Sequence, residues 1–282
     1  MKKRTKLVST LLLSAAILLA GCGSNETAGS SSSNSGSKET FKVGMEAGYA
    51  PFNWSQNDNS NGAVAIKGSA EFAGGYDVEI AKKIAEGLGK ELEIVKTEWD
   101  GLVPALTSGK IDAIIAGMSP TAERKETIDF SENYYKSNLV MVVKKGGKYE
   151  NATSIQDFNG AKVTAQLNTF HYSVIDQIKG VSKQTAMDNF PAMRVALESG
   201  IIDGYVSERP EAVSASAANE NFAMVEFKEE GFQTSEDDTA IAVGLKKGSE
   251  DTAKINEVLK GITEEQRTAI MDTAIKNQPA AK

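Results

Sequence analysis

The sequence predicts an α/β protein of two facing lobes, each built on a mainly parallel sheet flanked by helices. Two observations lead to this fold class. From Phe41 onward, short β-type runs alternate with amphipathic helical stretches, which is typical of sheets covered by helices. The phrase Ala-Leu-x-Ser-Gly-x-Ile-Asp also occurs twice, at 105–112 and 196–203, at an offset of 91 residues. We therefore expect one copy in each lobe.

The first 40 residues have the composition of a targeting leader followed by a tether. Residues 1–21 combine a basic start with an apolar run that is too short to favour a membrane-spanning helix. The run LAGC at 19–22 resembles a bacterial lipobox, so we expect Cys22 to carry a lipid such as palmitate. An ordinary signal peptide with no role for Cys22 is the alternative. The Ser- and Gly-rich residues 22–40 predict a flexible tether.

Charge and composition argue against several classes of function. The chain has 31 basic and 38 acidic residues; the leader contains four of the basic ones and no acidic one, so the remainder has a net charge of −11. Such a chain is a poor nucleic-acid binder. With one histidine and one cysteine, we expect no metal site and no cofactor. No nucleophile motif surrounds His171, which we interpret as a polar loop residue.

The expected elements follow from hydrophobic periodicity and from Gly, Pro and capping residues. In the first half they are strand 41–45, a loop at 46–53, a polar surface insertion or hairpin at 55–75, helix 77–88, strand 92–95, helix 100–108, strand 111–116 and helix 120–126. In the second half they are strands 139–143 and 163–165, a helix near 170–179, helix 191–199, strand 201–206, a helix after Pro210, strand 239–245 and a helical tail at 255–275. Thr263 and Gln266 have the spacing of a capping box.

Polar residues follow the strand in both copies of the repeated phrase. Ser119 comes shortly after the first copy, and Glu208 and Arg209 come after the second. Ligands of open α/β sheets bind outside the carboxyl ends of the strands. These polar residues are therefore candidates for a binding site in a cleft between the lobes.

Several runs, in this order along the chain, resemble family-3 extracellular solute-binding proteins, the amino-acid receptors of ABC importers. They are GYDVEI at 75–80, WDGLVPAL at 99–106, GKID at 109–112, MSPTAER at 118–124, IDFS at 128–131 and AQLNT at 165–169. The resemblance covers about 41–245 and implies a type II periplasmic-binding-protein-like fold with two crossing segments, near 136–140 and 228–235. Lobe 1 would comprise 41–136 plus 233–282, and lobe 2 would comprise 137–232.

The resemblance also implies which residues hold an amino acid. Arg124 matches the arginine that binds the ligand carboxylate, assisted by Ser119 and Thr169; a solvated helix residue is the alternative for Arg124. Glu208 stands where the family usually has an aspartate for the ammonium, the alternative being a surface pair with Arg209. Gly117 and Met118, beside Ser119, and Gln166 and Asn168, beside Thr169, are also expected in the site. The aromatic residues Tyr49, Phe52 and Trp99 are expected to line it, although they could instead be core. Glu46 is placed to meet the distal group of the ligand.

These residues predict a monomeric, lipid-anchored receptor at the extracytoplasmic face of a bacterial membrane. We expect it to deliver a free L-amino acid to an ABC permease and its ATPase. Glu46 and the aromatic faces favour lysine, arginine or ornithine. A glutamine or glutamate receptor is one alternative. Two others come from different classes, a dehydratase on the same scaffold and a binding module for signalling or adhesion.

Overall fold

The computed structural model describes residues 38–279. The leader, Cys22 and nearly all of the predicted tether lie outside these residues. The first strand begins at Thr40, so the last residue assigned to the tether belongs to the folded part. None of the helices in the described range combines the length and the apolar composition that crossing a membrane requires.

Fourteen strands form three sheets in this part of the chain. They are Thr40–Met45 (β1), Gly48–Tyr49 (β2), Asn53–Gln56 (β3), Val64–Ala65 (β4), Phe72–Gly74 (β5), Glu91–Lys96 (β6), Ala113–Ile114 (β7), Asp129–Lys136 (β8), Leu139–Lys144 (β9), Lys162–Thr164 (β10), Ser182–Lys183 (β11), Gly204–Glu208 (β12), Phe222–Val225 (β13) and Ala240–Leu245 (β14). We call the part of the chain around the sheet of β1 lobe 1, and the part around the sheet of β10 lobe 2.

The two lobes contain five-stranded sheets with the same pairing pattern. The strand order is β6-β1-β7-β14-β8 in lobe 1 and β11-β10-β12-β9-β13 in lobe 2. In each sheet the first two pairings are parallel and the last two are antiparallel. The sheets are thus mixed, whereas the sequence suggested mainly parallel ones. The antiparallel pairings arise because β9 and β14 each enter their sheet directly from the other lobe.

Two segments connect the lobes. The shorter one, 137–138, joins β8 to β9, and the longer one, 226–239, joins β13 to β14. The shorter one lies within the crossing region predicted near 136–140, and the longer one spans that predicted near 228–235. The backbone N–H of Arg209, at the tip of β12, donates to the carbonyl oxygen of Asn138 at 3.1 Å. The short connection is therefore bonded to the strand end that carries Glu208.

Nine helices lie in the described range. They are Tyr76–Leu88 (α1), Leu102–Ser108 (α2), Ala122–Thr127 (α3), Phe170–Ser173 (α4), Phe190–Ser199 (α5), Arg209–Ala218 (α6), Glu236–Thr239 (α7), Thr252–Lys260 (α8) and Glu264–Asn277 (α9). The helix predicted near 170–179 is α4 followed by a 3-10 turn at Val174–Gln177. The helical tail is interrupted between α8 and α9, where the predicted capping box of Thr263 and Gln266 is confirmed.

The repeated phrase folds in the same way in both lobes. Gly109 ends α2 with φ 79°, and Gly200 ends α5 with φ 77°, the left-handed conformation that glycine adopts without strain. The Asp112 carboxylate then accepts the backbone N–H of Lys42, and Asp203 accepts that of Lys162, both at 2.8 Å. Each aspartate thereby fastens the loop after its helix to the neighbouring strand of the sheet.

The strands that follow the two copies differ from the prediction. The first is only the two residues of β7, inside the predicted 111–116. The second is β12, shifted toward Glu208 relative to the predicted 201–206, and Ile201 is 60 % exposed. Ile201 is apolar but lies in the loop after α5, so its hydrophobicity misplaced the start of the strand.

The polar stretch 55–75 forms an antiparallel hairpin structure, as expected from its turn residues. Strands β2, β3, β5 and β4 pair in that order into a four-stranded sheet. Its first turn brings Tyr49 and Phe52 to the interface with lobe 2, where Tyr49 packs on Phe190. One apolar cluster therefore extends through both lobes, while a second covers the other face of the lobe 2 sheet around Phe158 and Val163.

Candidate functional site

A small enclosed cavity of about 10 Å³ lies between the lobes. Seven of the predicted site residues line it: Tyr49, Trp99, Gly117, Ser119, Arg124, Gln166 and Thr169. Three residues that the sequence did not indicate also line it: Phe170, His171 and Phe190. A volume of this size is close to that of one water probe. A molecule larger than water can therefore enter only when the lobes move apart.

The Arg124 guanidinium lies at the boundary between the lobes. Thr121 caps α3 and so places Arg124 over the loop before it. Its Nη1 donates to the Ser119 carbonyl at 2.9 Å, and its Nη2 donates to the Asn168 carbonyl of lobe 2 at 3.1 Å. The guanidinium carbon is 5.1 Å from the Trp99 ring centroid, within cation–π range.

Desolvation changes the pKa of Arg124 but does not remove its charge. Burial lowers the pKa of Arg124 to about 10, so the group remains a cation at neutral pH. Among residues 38–279 no carboxylate forms an ion pair with it. Arg124 is half-buried, and a partly desolvated cation without an ionic partner favours a site for an anion.

Glu208 ends β12 and is 1 % exposed. It does not line the cavity itself but lies behind two residues that do, Tyr49 and His171. Its Oε2 accepts the Tyr49 hydroxyl at 2.5 Å, and its Oε1 has no hydrogen-bond partner within the described chain. Burial raises the pKa of Glu208 to about 7. The alternative of a Glu208–Arg209 surface pair is wrong, because Arg209 instead pairs with Glu226 at 2.7 Å. Arg209 is therefore a salt-bridge partner of Glu226 and not of Glu208.

His171 is not a polar loop residue, and that prediction is wrong. It lies in α4, is 7 % exposed and packs with its ring 4.3 Å from that of Phe170. Its Nε2 is 3.8 Å from Glu208 Oε1. This distance would suit an ion pair, but burial lowers the pKa of His171 to about 3, with Arg124 as a second cause. We therefore describe the pair as a neutral imidazole beside a carboxyl group.

Glu46 is near the cavity but does not line it. Its Oε2 accepts the Gln166 side-chain amide at 3.1 Å, and that amide also donates to the Asp188 carbonyl at 3.0 Å. Glu46 is 7 % exposed, and burial raises its pKa to about 7. Gln166 thus lies between the cavity and a buried acid of the opposite lobe.

The predicted aromatic residues divide into two groups. Tyr49 and Trp99 line the cavity, and Tyr49 stacks on Phe190 of α5 with centroids 4.4 Å apart and an angle of 11°. Phe52 is fully buried behind Tyr49, at 4.9 Å between centroids, and Met118 is 1 % exposed. Phe52 and Met118 therefore support the cavity from behind and do not line it, because their side chains face the core of lobe 1.

Asn168, Thr169 and Gly117, the next predicted residues, shape the loops around the cavity. Asn168 has φ +53° and bonds through its side-chain amide to Asp100 Oδ1 across the lobes at 2.9 Å. The Thr169 hydroxyl donates to the Gln166 carbonyl at 2.6 Å. Gly117 has φ +63°, and a Cβ there would lie 2.6 Å from the Tyr49 ring, so only glycine fits.

Ser119 ties this loop to the longer connection between the lobes. Its hydroxyl donates to the Asp238 carbonyl at 2.8 Å, while its own carbonyl accepts from Arg124. The candidate residues offer a guanidinium, two buried carboxyl groups, a neutral imidazole and aromatic faces. Within residues 38–279 no group of His, Cys, Asp and Glu has the arrangement of a metal site.

Residues 41–275 match the bacterial extracellular solute-binding proteins, family 3. The chain belongs to this family. Its members are extracellular receptors that bind a solute and do not transform it, so the solute-binding protein described here is not an enzyme. The dehydratase alternative is thereby excluded, and the two-lobed α/β fold predicted from the sequence is confirmed.

Named relatives of this solute-binding protein cover almost its whole length. A probable histidine-binding protein of Campylobacter jejuni is 31 % identical over 272 residues, 96 % of each chain. The arginine-binding extracellular protein ArtP of Bacillus subtilis is 28 % identical over 86 % of this chain and 90 % of its own. A Streptococcus pneumoniae amino acid ABC transporter substrate-binding protein, solved with L-arginine, superposes with a TM-score of 0.73 at 26 % identity, covering 84 % of this chain and 94 % of its own.

Proposed function

We propose that this protein binds a free L-amino acid between its two lobes and delivers it to an ABC permease and its ATPase. The observation that carries the proposal is the presence of opposite charges at the cavity and directly behind its wall. Arg124 lines the cavity and has no ion-pair partner in the described residues. The carboxyl group of Glu208 lies on the facing lobe behind Tyr49 and His171, with one oxygen unbonded. A zwitterion complements both groups, since each of its charges needs a partner once water is excluded.

In this proposal the charged partners of the two ends of the zwitterion come from different lobes. The ligand carboxylate pairs with the planar guanidinium of Arg124, assisted by the backbone N–H groups of Ser119 and Thr169. The ligand ammonium pairs with Glu208, and the carbonyl of Gly117 is a second acceptor for it. A bound ligand then contacts both lobes and stabilises the closed state.

Charge balance favours an amino acid with a cationic side chain, of the lysine or arginine type. Arg124 contributes one positive charge, whereas Glu46 and Glu208 contribute two negative charges when ionised. Burial raises the pKa of both acids to about 7, and a bound cation would favour their ionised forms. The relatives named for arginine support this choice. A glutamine receptor is the alternative, because a relative from Bacillus subtilis is named for glutamine.

We also propose that lobe 1 comprises 41–136 plus 233–282 and that lobe 2 comprises 137–232.

We propose further that a lipid on Cys22 anchors the protein, as a monomer, at the extracytoplasmic face of the cell membrane. The test of the anchor is Cys22→Ser in the full chain. We expect the variant to leave the membrane fraction and appear in the medium. Continued retention in the membrane fraction would show that Cys22 is not the attachment point.

The binding proposal is tested by a thermal-shift screen against the common L-amino acids. The protein is first unfolded and refolded, so that any co-purified amino acid is removed. An amino acid at a hundred times its dissociation constant stabilises the protein by about 2.7 kcal/mol, which gives a clear shift in Tm. No response to any amino acid would contradict the proposal.

The side-chain assignment is tested with Glu46→Gln, using Glu98→Gln as the matched control. Both changes remove one acid from the same region, but Glu98 is exposed. We expect Glu46→Gln to weaken the binding of L-arginine and L-lysine and to leave the binding of L-glutamine unchanged. The control should change the binding of none of the three. Equal weakening of L-glutamine would place Glu46 outside the side-chain pocket.

A further inference from the structure

We infer that His171 binds the ligand directly, contacting both the α-ammonium and the α-carboxylate. We call these two groups the head group. His171 would then contribute to the affinity for every L-amino acid and not to the choice among side chains. The inference rests on the proposed function and adds a residue that sequence reasoning dismissed.

The first support is the position of the imidazole. His171 lines the cavity and is 7 % exposed, and neither ring nitrogen has a hydrogen-bond partner among residues 38–279. Buried polar groups without partners are uncommon in folded proteins and call for an explanation. The Phe170 ring, 4.3 Å away, holds the imidazole in its orientation.

The second support is the distance between His171 and Glu208. Nε2 and Oε1 are 3.8 Å apart, too far for a direct hydrogen bond, and Oε1 also has no partner in the described chain. A single ammonium nitrogen about 2.9 Å from each atom can donate one N–H to Oε1 and another to Nε2. The two unpaired atoms thus form one acceptor site of the size of an ammonium group.

The third support is the protonation state of the ring. A neutral imidazole has one acceptor nitrogen and one donor N–H, and a zwitterionic head group needs one of each. Burial and the nearby Arg124 lower the pKa of His171 to about 3, so the acceptor persists at neutral pH. With the acceptor toward Glu208, the remaining N–H is available to the carboxylate that Arg124 binds.

The test measures dissociation constants by calorimetry for L-arginine, L-lysine, L-histidine and L-glutamine. The proteins are wild type, His171→Leu, which removes both polar nitrogens, and His171→Gln, which keeps a donor and an acceptor. We expect His171→Leu to weaken the binding of every amino acid that wild type binds. The factor should be similar for all of them, about 10- to 100-fold. His171→Gln should recover most of that loss, which a purely structural role would not produce.

A second measurement needs no substitution. His171 is the only histidine of the chain, so ¹⁵N-labelled imidazole gives the signals of this residue alone in a protein without a histidine tag. Adding L-arginine, or L-glutamine if wild type prefers it, should shift both ring nitrogens. This measurement keeps the inference testable if His171→Leu does not fold.

The outcomes separate the two proposals. If wild type binds an amino acid while His171→Leu keeps full affinity, or the ring signals do not move, the inference is wrong and the proposed function stands. A loss confined to one side-chain type would show that His171 contacts the side chain, and would also overturn the inference. If wild type binds none of the common amino acids, the proposed function fails and this inference fails with it.

Discussion

The two copies of Ala-Leu-x-Ser-Gly-x-Ile-Asp share one local structure but present opposite charges to the cleft. Both end a helix on a left-handed glycine and fasten the next loop through an aspartate. In lobe 1 the strand is two residues long, and the chain continues through a loop to Arg124. In lobe 2 the strand is five residues long and carries Glu208 at its tip.

This difference shows that the repeated phrase supports the site, whereas the residues after the strand define the chemistry of the site. The repeated phrase sets where each strand leaves its sheet, and it lies outside the cavity in both lobes. The residues after the strand determine the charge that reaches the cavity. We therefore expect substitutions inside the phrase to change stability equally in the two lobes, and substitutions beyond it to change binding.

The largest effect is expected for Arg124→Ala. Removing one partner of a buried charge pair typically costs 2–5 kcal/mol, so the affinity for the amino acid found in the screen should fall by about 30-fold or more. The matched control is Lys125→Ala, which removes a neighbouring charge that is exposed and paired with Asp237 at 2.7 Å. Calorimetry on both variants checks this. Similar losses in the two would contradict the assignment of Arg124.

The counterpart in lobe 2 is tested by pH. Only the carboxylate form of Glu208 pairs with an ammonium, and burial raises its pKa to about 7. Protonation therefore competes with binding below pH 7, and affinity should fall by up to about tenfold per pH unit between pH 7 and 5. Above pH 8 the affinity should level off.

Glu208→Gln is the control for this pH dependence. We expect it to bind weakly at every pH and to lose the contribution of this carboxylate to the slope. A slope that persists unchanged in the variant would assign the pH dependence to another acid, of which Glu46 is the nearest candidate by its raised pKa.

The paired glycines test whether the two copies are equivalent. Gly109→Ala and Gly200→Ala each place a side chain on a left-handed residue, which costs about 1–2 kcal/mol. Only the flexible lysine side chains of Lys246 and Lys144 lie near the added Cβ atoms, with Nζ at 3.0 Å and 3.5 Å, so no backbone clash distinguishes the sites. Urea unfolding should give equal losses. Gly231→Ala should change little, because the added Cβ meets only ordinary contacts with Phe227 and the residue has no positive φ.

The paired aspartates should give the smallest effect. Asp112→Ala and Asp203→Ala each remove one acceptor from a backbone N–H at 2.8 Å, at a loop close to solvent. We expect losses of about 0.5–1 kcal/mol from each, and partial recovery with asparagine, which keeps the acceptor. A loss at only one position, measured by urea unfolding, would mean that the repeat has unequal roles in the two lobes.

Local patterns in the sequence were enough to predict the two-lobed fold and many of the cavity residues. Periodicity located α1, β1, β6, β9 and β14 closely, and the family motifs indicated Arg124 and Glu208. Four strands were missed, β2, β8, β11 and β13. Three of them are short, and β8 is interrupted by polar and charged residues.

Contacts between distant residues could not be predicted in this way. Tyr49 and Glu208 are 159 positions apart, and their hydrogen bond depends on how the lobes meet. Phe190 begins a helix after Asn189, so the sequence indicates a buried face but not that it stacks on Tyr49. His171 follows Thr169 by two residues, and no local pattern shows that α4 buries it. A useful signal was its proximity in sequence to the predicted segment 166–169.

Each connection between the lobes is bonded to one of the two charged sites. The loop of Ser119, which supports Arg124, bonds to Asp238 in the longer connection, and Arg209, next to Glu208, bonds to Asn138 in the shorter one. Bending either connection therefore displaces the charge attached to it. The separation between Arg124 and Glu208 therefore changes together with the angle between the lobes. A permease that senses the outer shape of the protein would in effect measure that separation.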